Sequence, residues 1–288
     1  VLTGANMELI SPTKQRNWGW PAVVNFFLGG AGSGFYLLCV LFMPRRQTGV
    51  VSPESLVFGL LGPILVGLGF LALTIEAGRP KRCFYLYRRI RDAWISRETL
   101  FFTVFIFSAV LDWVFPYIPF RFLAVCSAFL FMISQGFIVH SARALPAWNV
   151  SILPVFFLSS GLASGSGIAL LLTASGQLQP THSLVPESLL FVVFNLLIWV
   201  AYLFRIYSNV FRSVILFQGR SFLMLVIFWF GHVLPAILLL VNRHADSGIQ
   251  IVNWSVGLAG FAMLLSVMMQ KGVIIFAWGY TRKISIES

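Results

Sequence analysis

Six ionisable side chains stand at or inside stretches too apolar to solvate them: Glu76, Glu98, Asp112, His140, His232 and Lys271. A charge at membrane depth costs about 2.5–3.5 kcal/mol unless it pairs, faces water or binds something. Acids, imidazoles and amines in such places take up and release protons or hold a polar ligand. Around them stand further hydrogen-bonding and flat side chains: Asn25, Ser134 and Gln135, with Trp20, Trp94 and Trp148. Asn25, Glu76, Trp94, Glu98, Ser134, Gln135, His140, Arg143, Trp148 and Asn149 all fall toward one end of the first five apolar runs. His140 and Arg143, three apart, are expected on one side of a helix. His232 and Lys271 lie deeper and apart from that group. They suit proton relay, or each bonds a neighbouring backbone carbonyl. Asp112, beside Trp113 and Pro116, fits a helix end at the opposite interface.

The elements that must position these residues are membrane helices. The chain is 58% hydrophobic and 10% charged, with a mean hydropathy of +0.88, whereas soluble domains carry roughly 25% charged residues. At about 20 apolar residues per span, eight helices are expected: 18–43, 53–76, 98–118, 121–144, 152–175, 185–208, 221–242 and 249–280. Residues 1–17 are polar and the first apolar run is of full spanning length, so a cleaved leader is not expected. The fold class is an all-α integral membrane protein in a lipid bilayer.

The net charge of +11 does not point to nucleic acid, because the charges sit at helix ends rather than on one basic face. After the second helix, Glu76-Ala-Gly-Arg79-Pro80 opens into a loop holding Arg79, Lys81, Arg82, Arg88, Arg89, Arg91 and Arg97. With eight spans both termini share a side, and that side takes fifteen of the twenty basic residues. The positive-inside rule then puts both termini in the cytoplasm. Cys39, Cys83 and Cys126 have no metal-ligand spacing, and an odd number argues against a disulfide framework. No metal is expected. Haem is not expected either, since His140 near a helix end and His232 near mid-membrane do not face each other.

Phe26-Phe27-Leu28-Gly29-Gly30 in helix one is echoed by Phe156-Phe157-Leu158-Ser159-Ser160 in helix five. Two parallel four-helix bundles are therefore expected, 18–144 and 145–281, with a polar segment at 1–17 and a tail at 282–288. Gly30 and Gly34, and Gly161 and Gly165, have the small-xxx-small spacing of close helix packing.

These motifs, taken in order, resemble the NrfD/PsrC family of integral membrane subunits in bacterial molybdopterin and iron-sulfur oxidoreductase complexes. The resemblance covers nearly the whole chain. It rests on Trp18-Gly-Trp-Pro with Phe27-Leu-Gly-Gly-Ala-Gly-Ser-Gly, and on Ala77-Gly-Arg79-Pro80 with Tyr85-Leu-Tyr and Trp94-Ile-Ser96-Arg97. It continues through Ala142-Arg143-Ala-Leu-Pro146-Ala-Trp148-Asn149, Leu153-Pro154 and Ser160-Gly161-Leu-Ala-Ser-Gly165. It implies two four-helix bundles in the bacterial inner membrane and a bound menaquinone or ubiquinone. It also implies electron exchange with a four-cluster ferredoxin-like iron-sulfur subunit, which wires a molybdenum or tungsten catalytic subunit. Such a subunit reacts with quinone but is not catalytic alone.

There are departures. Relatives with a polysulfide-reductase-like site carry a tyrosine in helix four and a histidine near the start of helix one. Here the tyrosine position falls on Ser134, and helix one opens with Trp18, Trp20 and Asn25. A quinone site needs donors for two carbonyl oxygens, a proton acceptor and flat walls. Asn25, Ser134, Gln135 and His140 can donate, with Arg143 alongside. Glu76 or His140 can take protons, and Trp20, Trp94 and Trp148 can wall the ring. Glu98, His232 and Lys271 are the expected proton relay. Arg79, Arg82, Arg88 and Arg89 are the expected docking residues for an acidic partner. A secondary transporter would instead use a broken helix, for which Pro154 and Gly161 to Gly167 are candidates. A purely structural anchor would leave Glu76 and His140 without a role.

Overall fold

The computed structural model describes residues 7–8, 13–16, 18–42, 53–76, 80–178, 184–207, 221–243, 250–281 and 285–286. The fold is all-α. Among the described residues, eight helices are long and apolar enough to cross a membrane. They are α1 (Trp20–Phe42), α2 (Pro53–Glu76), α3 (Trp94–Val114), α4 (Ile118–Ser141), α5 (Leu153–Ala174), α6 (Val185–Tyr207), α7 (221–241) and α8 (250–277). A 3₁₀ segment, Pro80–Arg89, joins α2 to α3. Two minimal antiparallel ladders pair the chain ends, Met7–Glu8 with Ser285–Ile286 and Thr13–Lys14 with Tyr280–Thr281, so both ends lie on one face.

Proline and glycine set several boundaries. Pro119 and Pro154 stand in the first turns of α4 and α5, where a missing N–H costs nothing. The expectation that Pro154 could break helix five does not hold: α5 runs unbroken from Leu153 to Ala174. It stops where Gly176 takes φ +73° and the N–H groups of Gln177 and Leu178 turn back to Leu172 O. The serines of α5 offer lipid nothing unsatisfied, since Ser159, Ser160, Ser164 and Ser166 each donate to a carbonyl of their own helix.

α3 begins at Trp94, four residues before the expected start. The guanidinium of Arg97 explains it. Nε donates to Ile90 O at 3.0 Å and Nη2 to Arg91 O at 2.7 Å, drawing the preceding turn onto the helix. Arg97 also lies over the Trp94 ring, 4.3 Å from its centroid. Glu98 is consequently a full turn inside the helix.

α1, α5 and α8 form the interior. Their most apolar stretches are 78%, 67% and 61% buried, against 22–33% for α2, α3, α6 and α7, whose outer faces meet lipid. α1 and α5 pack backbone to backbone. A Cβ on Gly34 would strike the carbonyl of Gly161, and one on Gly165 would strike the Gly34–Phe35 backbone. The small-residue spacing read from the sequence thus joins these two helices to each other. Among the described residues, π turns interrupt the spans in the later helices, at Trp229–Val233 in α7 and Val273–Ala277 at the end of α8.

Candidate functional site

Three helices bring a carboxyl group and two amides together near the face that carries the chain ends. α1 supplies Asn25, α3 Glu98 and α4 Gln135, all 1% exposed or less. Asn25 Nδ2 donates to Glu98 Oε1 at 3.4 Å, and Gln135 Nε2 donates to Asn25 O at 3.4 Å. Gly29 makes this possible, because a Cβ there would meet Gln135 Nε2 at 2.5 Å. These bonds are long, and they leave Asn25 Oδ1 and Gln135 Oε1 buried without a hydrogen-bond partner among the described residues. A buried acceptor left unpaired costs about 1–3 kcal/mol. Two unpaired acceptors beside a carboxyl group form a surface suited to groups that donate.

One turn outward from Glu98, the ring of Trp94 stacks on Phe137 with centroids 4.1 Å apart and planes 9° from parallel. His140, half-buried near the end of α4, has a buried Nδ1 with no hydrogen-bond partner among the described residues. Ser134 is fully buried, with its hydroxyl turned to Phe131 O of its own helix at 2.7 Å.

Other expected site residues lie elsewhere or are otherwise engaged. Trp148 stacks on Trp18 at 4.8 Å and donates through Nε1 to Ile274 O at 2.8 Å, so its polar edge is committed to α8. Trp20 is 61% exposed and packs against Phe276. α4 ends at Ser141, so Arg143 lies beyond the helix and is exposed; the helical spacing expected to set it beside His140 does not apply. Glu76 closes α2, but its side chain, like that of Arg82, lies outside the described residues, as does Arg79 entirely. Arg88 and Arg89 are exposed on the 3₁₀ segment, Arg88 over Tyr85.

A second polar centre lies deeper, among α6, α7 and α8. His232 Nδ1 donates to Ile227 O at 2.9 Å, and its Nε2 sits 3.1 Å from Asn195 Oδ1 and 3.2 Å from Gln270 Nε2. Gln270 Nε2 also donates to Asn195 Oδ1 at 3.0 Å. Next along α8, Lys271 is fully buried and donates to Phe26 O in α1 at 2.5 Å, over the Phe157 ring. Lys271 is therefore not isolated from the first-half group as its sequence position suggests. Asn195 and Gln270 do not stand out in the sequence when charge is the criterion, yet a buried amide in lipid needs a partner as a charge does. Asp112 is accounted for at the far end of α3, ion-paired with Arg121 at 3.2 Å and accepting from Tyr36 at 3.4 Å. Among the described residues no three His, Cys, Asp or Glu side chains converge as metal ligands would. A cavity of about 550 Å³ at the opposite end of α5 and α8, lined by Leu171, Trp254 and Phe261, is far from this chemistry.

Fold and site together define a multi-pass, all-α membrane protein with a carboxyl-amide centre at one face and an imidazole-amide centre further in. Residues 8–119 match the family described as polysulphide reductase, NrfD. The chain is 27% identical to Protein NrfD of Escherichia coli over 199 residues, 58% of this chain and 62% of that protein, which is less than two thirds of its length. It is 22% identical to the C subunit of the polysulfide reductase of Wolinella succinogenes over 301 residues, 88% of this chain and 94% of that subunit. These matches bear out the resemblance to the NrfD/PsrC membrane subunits that the motifs carry.

Proposed function

We propose that the chain is the quinone-reactive membrane subunit of a bacterial oxidoreductase complex. It exchanges electrons with a four-cluster ferredoxin-like iron-sulfur subunit, which in turn serves a molybdenum or tungsten catalytic subunit. The observation that carries this reading is the pair of unpaired acceptors, Asn25 Oδ1 and Gln135 Oε1, held beside Glu98. A bound menaquinol or ubiquinol supplies two electrons and two protons. Asn25 and Gln135 accept hydrogen bonds from hydroxyl groups and so orient a donor-bearing ring. Glu98, hydrogen-bonded from one side by Asn25, takes one of the two protons and passes it on, and His140 takes the other. Trp94 and Phe137 supply flat apolar surface on the outward side, and His140 Nδ1 offers a further polar contact.

The centre is closed in this structure, with Asn25, Glu98 and Gln135 sealed from solvent. A ring therefore reaches it by displacing the stacked pair at its outer edge, which makes Trp94 and Phe137 the gate as well as the wall. The exposed Arg88 and Arg89 give the same face a positive potential that suits an acidic redox partner, and Arg79 and Arg82 belong to the same basic stretch of sequence. The complex sits in the inner membrane with both termini in the cytoplasm.

The test is purification in mild detergent. The reading expects an iron-sulfur protein to co-elute with the chain and quinone to be extractable from the pool. A chain that elutes alone from its native membrane, free of quinone, contradicts it.

A further inference from the structure

The His232 centre is a closed set of three polar groups whose hydrogen bonding depends on one proton. Ile227 O can only accept, so Nδ1 carries a hydrogen. In a neutral ring Nε2 is then an acceptor. Nε2, Asn195 Oδ1 and Gln270 Nε2 form a triangle with sides of 3.1, 3.0 and 3.2 Å. Three corners with only two roles must leave one side joining like to like. With Gln270 donating one hydrogen to each neighbour, the ring lone pair faces the Asn195 carbonyl. Turning Asn195 over moves the mismatch to another side, and turning Gln270 over alone brings three acceptors together, so neither removes it.

A proton on Nε2 changes which sides are bonded. The ring then donates to Asn195 Oδ1, a charge-assisted bond, and that oxygen accepts from His232 and Gln270 with its two lone pairs. The remaining side joins two N–H groups that both aim at the same oxygen. The triangle keeps two hydrogen bonds in either state; protonation gives up the one from Gln270 to His232 and puts a charge-assisted one to Asn195 in place of the lone-pair contact.

Two further observations point to a ligand here. Asn195 Nδ2, Gln270 Oε1 and Ser266 Oγ are buried and have no hydrogen-bond partner among the described residues. Ser266 faces Gly231, next to His232, and a Cβ on Gly231 would collide with its hydroxyl. Three such atoms on two of the helices around one ring are enough polar partners for an ordered water. The ring is also carried on a π turn, a local widening that recurs where helices do work.

We infer that His232, Asn195 and Gln270 form a proton-binding site within the second half of the membrane domain, served by water held at Ser266. The proton enters from bulk water, binds Nε2 and returns to water, with no change in redox state. α7 packs on α6 and α8. α6 faces the ring with Asn195, and α8 faces it with Ser266 and Gln270, all uncharged. Lys271 is directed away to Phe26 O. The other charged residues of these helices, Glu187 and Arg205, stand toward the ends of α6. The site is independent of quinone, so its test does not depend on the proposed function.

The test is infrared difference spectroscopy of the whole protein in lipid nanodiscs, with ring-labelled histidine, on acidification from about pH 8 to about pH 4. The site predicts an imidazolium signal that His232→Gln abolishes. Asn195→Leu should lower the proton affinity of the same signal by about tenfold, the worth of one hydrogen bond to a charged group. Should His232→Gln fail to fold, Asn195→Leu carries the test alone. A wild-type signal identical to that of His232→Gln, or an Asn195→Leu protein with undiminished proton affinity, overturns the inference.

Discussion

Lys271 reaches across from α8 to donate to the carbonyl of Phe26, one residue along α1 from the Asn25 whose amide reaches Glu98. A buried ammonium and a buried carboxyl group thus flank one stretch of one helix without pairing. The ion pair among the described residues, Arg121 with Asp112, lies elsewhere. Lys271 and Gln270, adjacent in α8, turn to different neighbours: Lys271 to α1, and Gln270 to Asn195 and His232.

Replacing Lys271 should reveal whether its charge holds the fold. A buried charge with one carbonyl acceptor has offset little of its desolvation, and apolar replacements of similar volume at buried ionic sites are often neutral or stabilising. Lys271→Met is expected to unfold in detergent within about 1 kcal/mol of the parent, or later. A loss of more than about 3 kcal/mol would show that the bond to Phe26 is a principal tie between α8 and α1.

The α1–α5 contact should tolerate no added volume. Overpacking costs about 1–3 kcal/mol where neighbours can shift, and here the neighbour is backbone. Gly34→Leu and Gly165→Leu are expected to abolish recovery of folded protein. Gly67→Leu, at a position where a Cβ meets nothing within 4 Å, should be recovered as the parent is. Equal yields from all three, scored by size-exclusion profile, contradict the packing.

Orientation can be read from Cys83 in the second loop. Cys39 is buried and Cys126 half-buried within helices. With both termini cytoplasmic, a membrane-impermeant maleimide should leave Cys83 unlabelled in intact cells and label it in inverted vesicles. The opposite pattern moves the basic loop, and the partner it docks, to the other side.

Much of this is open to a reader of the sequence, for reasons that differ by residue. Eight spans follow from hydropathy and length. Asn25 and Gln135 stand out because lipid offers an amide no partner. Glu98 is legible as an acid but reads as lying at a helix mouth, since nothing local predicts that Arg97 folds back to cap the preceding turn and lengthens α3. Asn195 and Gln270 are amides as well, but they belong to the later helices, outside the cluster at one end of the first five that singles out Asn25 and Gln135. That Lys271 touches α1 cannot be read at all, because which helices become neighbours is decided by packing, here by the glycines that bring α1 and α5 together.

The central claim is that Glu98 takes the quinol proton while Gln135 and Asn25 hold the ring, and one paired measurement on the purified complex tests it. Quinol oxidation and the affinity for a non-reactive, hydroxyl-bearing quinol analogue are measured with Glu98→Gln and Gln135→Leu. Glu98→Gln keeps shape and loses the proton acceptor, so oxidation should fall at least about a hundredfold, the lower end of what a positioned acid or base contributes, with analogue affinity little changed. Gln135→Leu should weaken the analogue by about tenfold, equivalent to about 1.4 kcal/mol. Parental rate and parental affinity in both variants would place the quinone chemistry away from this centre.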